Sequence, residues 1–213
     1  MSAKRALFLW GGWEFHDPLN TSTRFASALE GRGYDVTLAN DAAVLDADVS
    51  AFDLIVVCMT MAEITDQQER NLLAAVATGT RLGGWHGGLG DAFRTRTDFQ
   101  YAVGGQWVKH PGDTIDYTVN IIADHEITAG VHDFPVRSEQ YYMHIDPGVA
   151  VLATTTFSGE HDAWIDGVVM PVAWTKSFGR GRVFYCSIGH NAADFDQPDV
   201  ARLIDQGLVW ATR

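Results

Sequence analysis

The sequence is poor in cysteine, with only two in 213 residues. Cys58 and Cys186 both lie inside strand-like apolar runs, and no CxxC pair occurs. Small domains held together by disulfides, and metal sites built from cysteine, both need more cysteines at regular spacings. We therefore expect two reduced thiols and a cytoplasmic protein.

Basic residues are also scarce. Lys and Arg total 15 against 27 Asp and Glu, which gives a formal net charge of -12. Nucleic-acid binding depends on Lys and Arg side chains that neutralise phosphates, so the composition argues against a nucleic-acid partner. No apolar run is long enough to cross a bilayer, and we expect no membrane partner.

Several catalytic and nucleotide-binding motifs are absent from the chain. It has no GxSxG or GxCxG turn, which argues against an acyl-enzyme mechanism. It also has no P-loop and no GxGxxG after the first strand, so a nucleotide cofactor is not indicated.

The chain does contain an alternation of strand-like and helix-like segments. We predict strands at 5–10, 34–39, 53–58 and 80–85. Helices are predicted from Thr21 or Ser22 to Glu30 and from the capping-box sequence at Thr65 to Thr78. This order predicts an α/β fold with a doubly wound, mostly parallel sheet and helices on both faces. Residues 1–213 are expected to form one domain.

The pattern loosens after Asp91, where we expect an added β excursion. The predicted elements are a short helix at 98–103, a loop at 104–112 and strands at 113–122 and 148–155. A hairpin joins 172–176 to 182–187, and a last helix starts at Pro198, which is favoured at the first helical position.

A sharp strand-to-helix turn is predicted at Gly84-Trp85-His86-Gly87-Gly88. Small residues on both sides of one functional residue allow a strained turn that projects the central side chain at the end of the sheet. The central residue is usually Ser or Cys, but here it is His86, which suits metal ligation or proton transfer.

His16 and His190 also follow the ends of predicted strands, and His110 lies in the loop at 104–112, which is rich in glycine and proline. Ligands bind outside the carboxyl ends of the strands in open α/β sheets, so these imidazoles should converge there. We predict that His16, His86, His110 and His190 bind a divalent metal, most naturally zinc. His86, His190 and Glu139 are the catalytic candidates, and Glu14 or Glu139 would move a proton.

Aromatic residues accompany the histidines. Trp13, Trp85 and Trp107 each lie within three residues of one, and aromatic faces beside polar groups suit a sugar. Core packing is the competing role for each of them. Glu14 and Tyr141 complete the predicted substrate-binding set.

An ordered set of short segments resembles the ThuA family, the trehalose-utilisation proteins. The resemblance covers nearly the whole chain, and its segments are Glu14-Phe15-His16, Gly84-Trp85-His86-Gly87-Gly88, Val103-Gly104-Gly105 with His110-Pro111, Glu139-Gln140-Tyr141, Pro171-Val172-Ala173-Trp174, Gly181-Arg182-Val183-Phe184-Tyr185 and Gly189-His190. It implies a flavodoxin-like fold of the class I glutamine amidotransferase type. His86 would then occupy the place of the amidotransferase cysteine, and His190 would resemble the triad histidine, so amidotransferase activity is not expected.

The resemblance also implies sugar catabolism, acting on trehalose, a related disaccharide or its keto derivative. One hypothesis is a metal-dependent enzyme of the isomerase, hydrolase or lyase type. A second is a non-catalytic sugar-binding or partner protein that retains the pocket. A third is a metal-free hydrolase using His190 and a carboxylate. The expected partner is a small sugar, and homo-oligomerisation is left open.

Overall fold

A large mixed sheet forms the centre of the computed structural model, which describes residues 3–212. The strands are β1 (Arg5–Gly12), β2 (Asp35–Ala39), β3 (Leu54–Thr60), β4 (Arg81–Trp85), β5 (Gly105–Lys109), β6 (Thr114–Ile121), β7 (Phe134–Glu139), β8 (Tyr142–Ile145), β9 (Ala150–Thr156), β10 (Val169–Phe178) and β11 (Gly181–Cys186). The helices are α1 (Pro18–Glu30), α2 (Asp66–Thr78), α3 (His86–Gly90), α4 (Thr97–Val103) and α5 (Pro198–Ala211).

The sheet has a parallel half and an antiparallel half. Its strand order is β2-β1-β3-β4-β11-β10-β9-β6-β7. The first five strands are mutually parallel, and each following pair is antiparallel. Strands β5 and β8 form a separate two-stranded sheet. The predicted α/β class is thus confirmed, and the expected β excursion is an antiparallel extension of the same sheet.

Helices cover both faces of the parallel half. Alternate residues of β1 and β3 point to opposite sides: Phe8 and Val56 pack with α1 and α5, while Leu7 and Ile55 pack with α2 and α4. All seven residues of β3 are buried, as expected for a strand covered on both sides. This arrangement leaves the carboxyl ends of β1, β3, β4 and β11 at one edge.

The start of α1 differs from the prediction. The helix begins at Pro18, and Asp17 precedes it with a left-handed φ of 48°. Thr21 and Ser22, predicted as capping residues, are buried within the helix. Proline fits the first helical position because its fixed φ is already helical and its missing N–H would have no partner there. The capping box of α2 is confirmed, with Gln68 and Thr65 bonded reciprocally.

The middle of the chain departs most from the sequence prediction. Residues 104–112 were expected to be a loop, but they contain β5, which pairs with β8 across an irregularity after Trp107. The chain leaves the large sheet at Glu139 and enters the small one at Tyr142. Gln140 and Tyr141 therefore cross between two sheets, next to the edge at which the parallel strands end.

Both cysteines are free and buried, Cys58 in β3 and Cys186 in β11. Burial raises the pKa of the Cys58 thiol to about 11 and that of the Cys186 thiol to about 12, so both stay protonated at neutral pH. Among the described residues, no helix combines the length and apolarity that a membrane crossing requires.

Candidate functional site

A cavity of about 510 Å³ opens at the carboxyl edge of the parallel strands. This is the place where open α/β sheets bind ligands. Its walls come from the segments that follow β1 and β3, from the end of α3, from β5 and its following loop, and from the crossing after β7. The lining residues are Gly12, Trp13, His16, Thr60, Met61, Asp91, Trp107, His110, Glu139 and Tyr141.

His86 occupies the turn between β4 and α3, as predicted. Its backbone has a φ of 46°, in the left-handed region that non-glycine residues rarely adopt. The glycines around it allow the close approach, because a Cβ on Gly88 would lie 2.8 Å from the Cα of Cys58. Tyr185 Oη donates to the carbonyl of His86 at 3.0 Å and helps to hold the turn. Strain of this kind persists only where the surrounding structure enforces it, and it is typical of functional sites.

The imidazole of His86 has partners on both nitrogens. Nδ1 lies 2.9 Å from the carbonyl oxygen of Ser187, which can only accept, so Nδ1 carries a proton. Nε2 points into the site, 3.1 Å from Oε2 of Glu139 and 2.8 Å from the hydroxyl of Tyr141. The side chain of His86 is 1% exposed.

His16 reaches the same point from the end of β1. A short 3-10 helix at Glu14–His16 follows the strand, and the backbone N–H of Trp13 donates to the carbonyl of Thr60 at 2.9 Å. Nδ1 of His16 lies 2.9 Å from Oγ1 of Thr60. Two neighbouring strand ends therefore fix the orientation of this buried imidazole.

Glu139 and His190 come from different parts of the large sheet, Glu139 from the end of β7 and His190 from the loop after β11. Nδ1 of His190 lies 3.3 Å from Oε1 of Glu139 but makes no hydrogen bond that satisfies the geometry. Asp194 accepts from the backbone N–H of His190 at 2.9 Å and from the hydroxyl of Ser138, the residue before Glu139. Asp194 thus ties the loop after β11 to the end of β7.

The four side chains His16, His86, Glu139 and His190 form one cluster. Each offers a donor atom, and these atoms all lie within 4.8 Å of one another. The ring centroids of His16 and His86 are 4.7 Å apart, and those of His16 and His190 are 5.1 Å apart. Three of the four predicted metal ligands are therefore brought together, with Glu139 as the fourth member of the cluster.

The electrostatics of the cluster favour one set of protonation states. Burial, with the neighbouring His86 and His190, lowers the pKa of His16 to about 3, so this imidazole is neutral at neutral pH. Burial would raise the pKa of Glu139, but the facing His190 and His86 outweigh it, and the pKa lies well below its usual value. The Glu139 carboxylate in turn raises the pKa of His190.

His110 lies outside this cluster, in contrast to the prediction. Its Nε2 is 3.9 Å from Oε1 of Glu139, and its ring stacks against Trp107 with centroids 5.5 Å apart. The reason is β5, which was not predicted: the strand places the end of the 104–112 segment beside Trp107, on the part of the cavity wall next to the cluster. His110 lines that wall beside Tyr141, whose ring stacks on His86 at 4.1 Å.

The remaining predicted residues divide into cavity and core. Trp13 lines the cavity and is 45% exposed, and Trp107 lines it as well. Glu14 is exposed beside the cavity and does not line it. Trp85 is 1% exposed and packs against Phe25 with ring centroids 4.9 Å apart. Consecutive residues of a strand face opposite sides, and Trp85 points into the core. It does not line the cavity, in contrast to the prediction.

Three residues of the site were missed or left ambiguous by the sequence. Thr60 lies at the end of β3, two residues beyond the predicted strand end, and lines the cavity. Asp91 lines the cavity at the end of α3, and Asp194 orders the His190 loop. Of these, only Thr60 carried a usable signal, because it directly follows a continuous apolar run.

Comparison with known proteins gives a family and a fold. The family described as ThuA, trehalose utilisation, matches residues 5–211. A crystal structure of a ThuA-like protein from Parabacteroides merdae superposes with a TM-score of 0.83 at 18% identity, covering 99% of this chain and 90% of that one. A ThuA-like protein from Bacteroides uniformis gives 0.81 at 16% identity, with coverages of 99% and 93%.

A more distant likeness is to a β-galactosidase from Rahnella sp. R3. The TM-score is 0.61 at 17% identity, and 98% of this chain matches 30% of the larger one. At these identities the structural matches show the fold alone. No curated protein matches significantly. The family match spans almost the whole sequence, and the chain therefore belongs to the ThuA family, described as trehalose utilisation.

Proposed function

We propose that this protein is a metal-dependent enzyme of sugar catabolism, which binds zinc and acts on a disaccharide or its keto derivative. The observation that carries the proposal is the cluster of three imidazoles and one carboxylate whose donor atoms lie within 4.8 Å of one another. Imidazole nitrogens and a carboxylate oxygen are a donor set that zinc accepts. The cluster borders a cavity with aromatic walls, as a sugar site requires.

The residues present fit a zinc ion in three respects. Zinc binds neutral imidazole and ionised carboxylate, which are the forms that the pKa shifts of His16 and Glu139 favour. Nδ1 of His86 is held by a backbone carbonyl, an arrangement that commonly orients metal-ligating histidines. Nδ1 of His190 is buried and faces Oε1 of Glu139 at 3.3 Å without a well-directed hydrogen bond, so a zinc ion shared with Glu139 would take the place of the proton that this pair otherwise favours.

The bound ion would polarise a sugar carbonyl or hydroxyl group. Tyr141 is buried beside the cluster, and burial raises its pKa well above the usual value, so the phenol is a hydrogen-bond donor at neutral pH. Trp13 and Trp107 present ring faces for the C–H surfaces of a sugar. Isomerisation, hydrolysis and elimination of a keto-sugar are all compatible with these groups.

The lining also favours an uncharged substrate. It includes the carboxylates of Glu139 and Asp91, and no lysine or arginine lines it within residues 3–212. Arg94 contacts two of the lining residues, but its guanidinium group is already bonded to Asp91 and to the carbonyl of Trp107. A neutral sugar instead offers hydroxyl groups that can donate hydrogen bonds to the carboxylates.

We infer that the parallel half is flavodoxin-like, as in class I glutamine amidotransferases. Its strand order, β2-β1-β3-β4-β11, corresponds to the 2-1-3-4-5 order of that fold. The His86 turn follows the fourth of these strands, and imidazole cannot replace the thiol of an amidotransferase. We also place the protein in the cytoplasm, on the basis of its two free, buried cysteines.

A second candidate is a sugar-binding or partner protein without catalysis, or a hydrolase that works without metal. The observation in its favour is that Glu139 and Tyr141 both lie within hydrogen-bonding distance of Nε2 of His86. Such a network can be stable without an ion.

The test is metal analysis combined with sugar binding and turnover. Protein purified without a metal-affinity tag should contain about one zinc per chain by elemental analysis. Calorimetry and product analysis with trehalose, sucrose and their keto derivatives should show both binding and turnover, and strong chelator should abolish turnover. No stoichiometric metal, or unchanged turnover in chelator, contradicts the proposal. Binding without turnover supports the second candidate.

Gly87→Ala should weaken zinc binding. A Cβ at this position would lie 2.9 Å from Cε1 of His16 and from Cγ2 of Thr60, so the His16 ring must move. We expect a loss of roughly 10- to 100-fold in zinc affinity, similar to losing a partner that orients a ligand. The free energy of unfolding should fall by about 1–3 kcal/mol, because the added methyl group overpacks the site. Zinc titration and denaturant unfolding measure both.

The matched control is Gly31→Ala. Gly31 has a φ of -58°, and its nearest non-neighbouring atoms are 3.5 Å from the added Cβ. This variant should bind zinc like the original protein. Equal zinc affinity in both variants would show that zinc binding does not require the position that the His16 ring takes beside Gly87.

A further inference from the structure

We propose that Asp91 is a substrate-binding residue, whose carboxylate accepts a hydrogen bond from a hydroxyl group of the sugar on the cavity wall beside Trp107. The inference rests on the proposed function and deepens it. It names the ligand chemistry, a neutral polyhydroxylated ring, that this wall recognises.

The first observation is the position of the Asp91 carboxylate. Asp91 directly follows α3, five residues after His86, and its backbone N–H donates to the carbonyl of Gly87. The residue is 4% exposed and lines the same cavity as Glu139. Oδ2 is not one of the buried side-chain atoms of residues 3–212 that lack a hydrogen-bond partner, so this oxygen remains accessible from the cavity.

The second observation is that only one oxygen has a partner. Arg94 donates to Oδ1 of Asp91. Within the part of the chain that the structure describes, no hydrogen bond reaches Oδ2. An acceptor without a partner on the wall of a cavity suits a donor that arrives with the ligand, and sugar hydroxyl groups are such donors.

The third observation is that Arg94 connects this carboxylate to the aromatic wall. Its guanidinium group lies 5.3 Å from the ring centroid of Trp107 and donates to the carbonyl oxygen of Trp107 at 3.1 Å. The indole N–H of Trp107 is itself buried without a hydrogen-bond partner. A sugar hydroxyl can both donate and accept, so a ring held between these residues could satisfy either group.

The wall also explains the place of His110. Because β5 carries His110 to the side of Trp107, the residue does not join the metal cluster. Trp107, His110 and Tyr141 form a cluster of three rings, with centroids 5.5, 6.2 and 6.0 Å apart. Arg94 contacts both Trp107 and Asp91, and so connects this ring cluster to the carboxylate.

The experiment compares Asp91→Ala with Asp98→Asn, an exposed acidic residue in the first turn of α4. The probes are trehalose and a series of monodeoxytrehaloses, measured by calorimetry on the zinc-loaded full-length protein. We expect Asp91→Ala to weaken trehalose binding roughly 10- to 100-fold, as for a lost hydrogen bond to a charged group. One monodeoxytrehalose should bind the original protein and the variant with the same affinity, because it lacks the hydroxyl group whose hydrogen bond Asp91 accepts.

A third variant separates direct contact from support. Arg94→Met keeps the aliphatic stem but removes the guanidinium group. If Asp91 acted only by holding Arg94 over Trp107, Arg94→Met and Asp91→Ala would weaken all probes equally, and this result would overturn the inference. Direct contact predicts that Asp91→Ala weakens the binding of every probe except the one deoxy sugar that lacks the hydroxyl bound by Asp91, and that Arg94→Met shows no such exception.

Measuring zinc content separates a failure of the Asp91 inference from a failure of the proposed function. All three variants should retain the zinc content of the original protein, since none removes a member of the cluster. Normal zinc and trehalose binding with no effect of Asp91→Ala would reject the role of Asp91 and leave the proposed function standing. Failure of the original protein to bind any of these sugars would reject both.

Discussion

Replacing His86 by alanine should remove zinc from the protein and abolish sugar turnover. His86 is the member of the cluster with the most fixed orientation, because Ser187 holds one nitrogen while Glu139 and Tyr141 face the other. Loss of a residue that only orients a ligand costs about 10- to 100-fold in metal affinity, and loss of a ligand should exceed the upper value. Competition titration with a zinc-binding dye measures the change.

The control for this variant is His144→Ala. His144 is exposed in β8 and lies outside the cluster, so its loss should leave zinc affinity and turnover unchanged. Full zinc binding by His86→Ala would show that the cluster is not a metal site.

A further comparison isolates the backbone strain at this position. His86→Gly should lose zinc as completely as His86→Ala, since neither has an imidazole. The φ of 46° costs a residue with a Cβ about 1–2 kcal/mol, which glycine does not incur. Part of this gain is offset by the greater entropy of an unfolded glycine, so His86→Gly should be more stable than His86→Ala by about 1 kcal/mol.

Replacing Trp85 by alanine should produce the largest loss of stability among these variants. The side chain is 1% exposed and packs between Phe25 and Phe195, with ring centroids 4.9 and 6.0 Å away. Truncating such a residue leaves a cavity that the surrounding core fills only in part, and the expected cost is about 3–5 kcal/mol. Denaturant unfolding monitored by circular dichroism measures it.

Trp164→Ala is the matched control. Trp164 is 81% exposed, so its truncation should change the free energy of unfolding by no more than about 0.5 kcal/mol. A second variant, Trp85→Phe, examines the sugar contact that the sequence suggested. It should bind trehalose like the original protein, because Trp85 does not line the cavity. A loss below about 1 kcal/mol in Trp85→Ala would contradict the assignment of Trp85 to the core.

The parallel half of the fold was predictable because its signals are local. Each of its strands is a short apolar run, and the helix beginning at Asp66 follows a capping box that can be identified in the sequence. The turn at His86 was predictable for the same reason, since its glycines are adjacent to it in the chain. Convergence of His16, His86 and His190 then followed from the rule that parallel strands end at one edge.

The antiparallel half was harder to predict because its pairings are not local. Strand β5 pairs with β8, more than thirty residues away, and its sequence of Gly105, Gln106, Trp107, Val108 and Lys109 has no continuous apolar face. This strand places His110 beside Trp107 and outside the four-residue cluster. Trp85 could not be assigned to core or cavity by sequence, because an aromatic residue at a strand end is compatible with either.

The origin of Glu139 has a consequence for how the molecule unfolds. His16, His86 and His190 come from the parallel half, whereas Glu139 ends β7, the outermost strand of the antiparallel half. An ion bound by all four residues would cross-link the two halves of the sheet. Zinc at one hundred times its dissociation constant would add about 2.7 kcal/mol to the stability of the closed arrangement. Chelation would remove this cross-link. The antiparallel half would then unfold at a lower temperature than the parallel half, and thermal unfolding would show two transitions where the zinc-bound protein shows one.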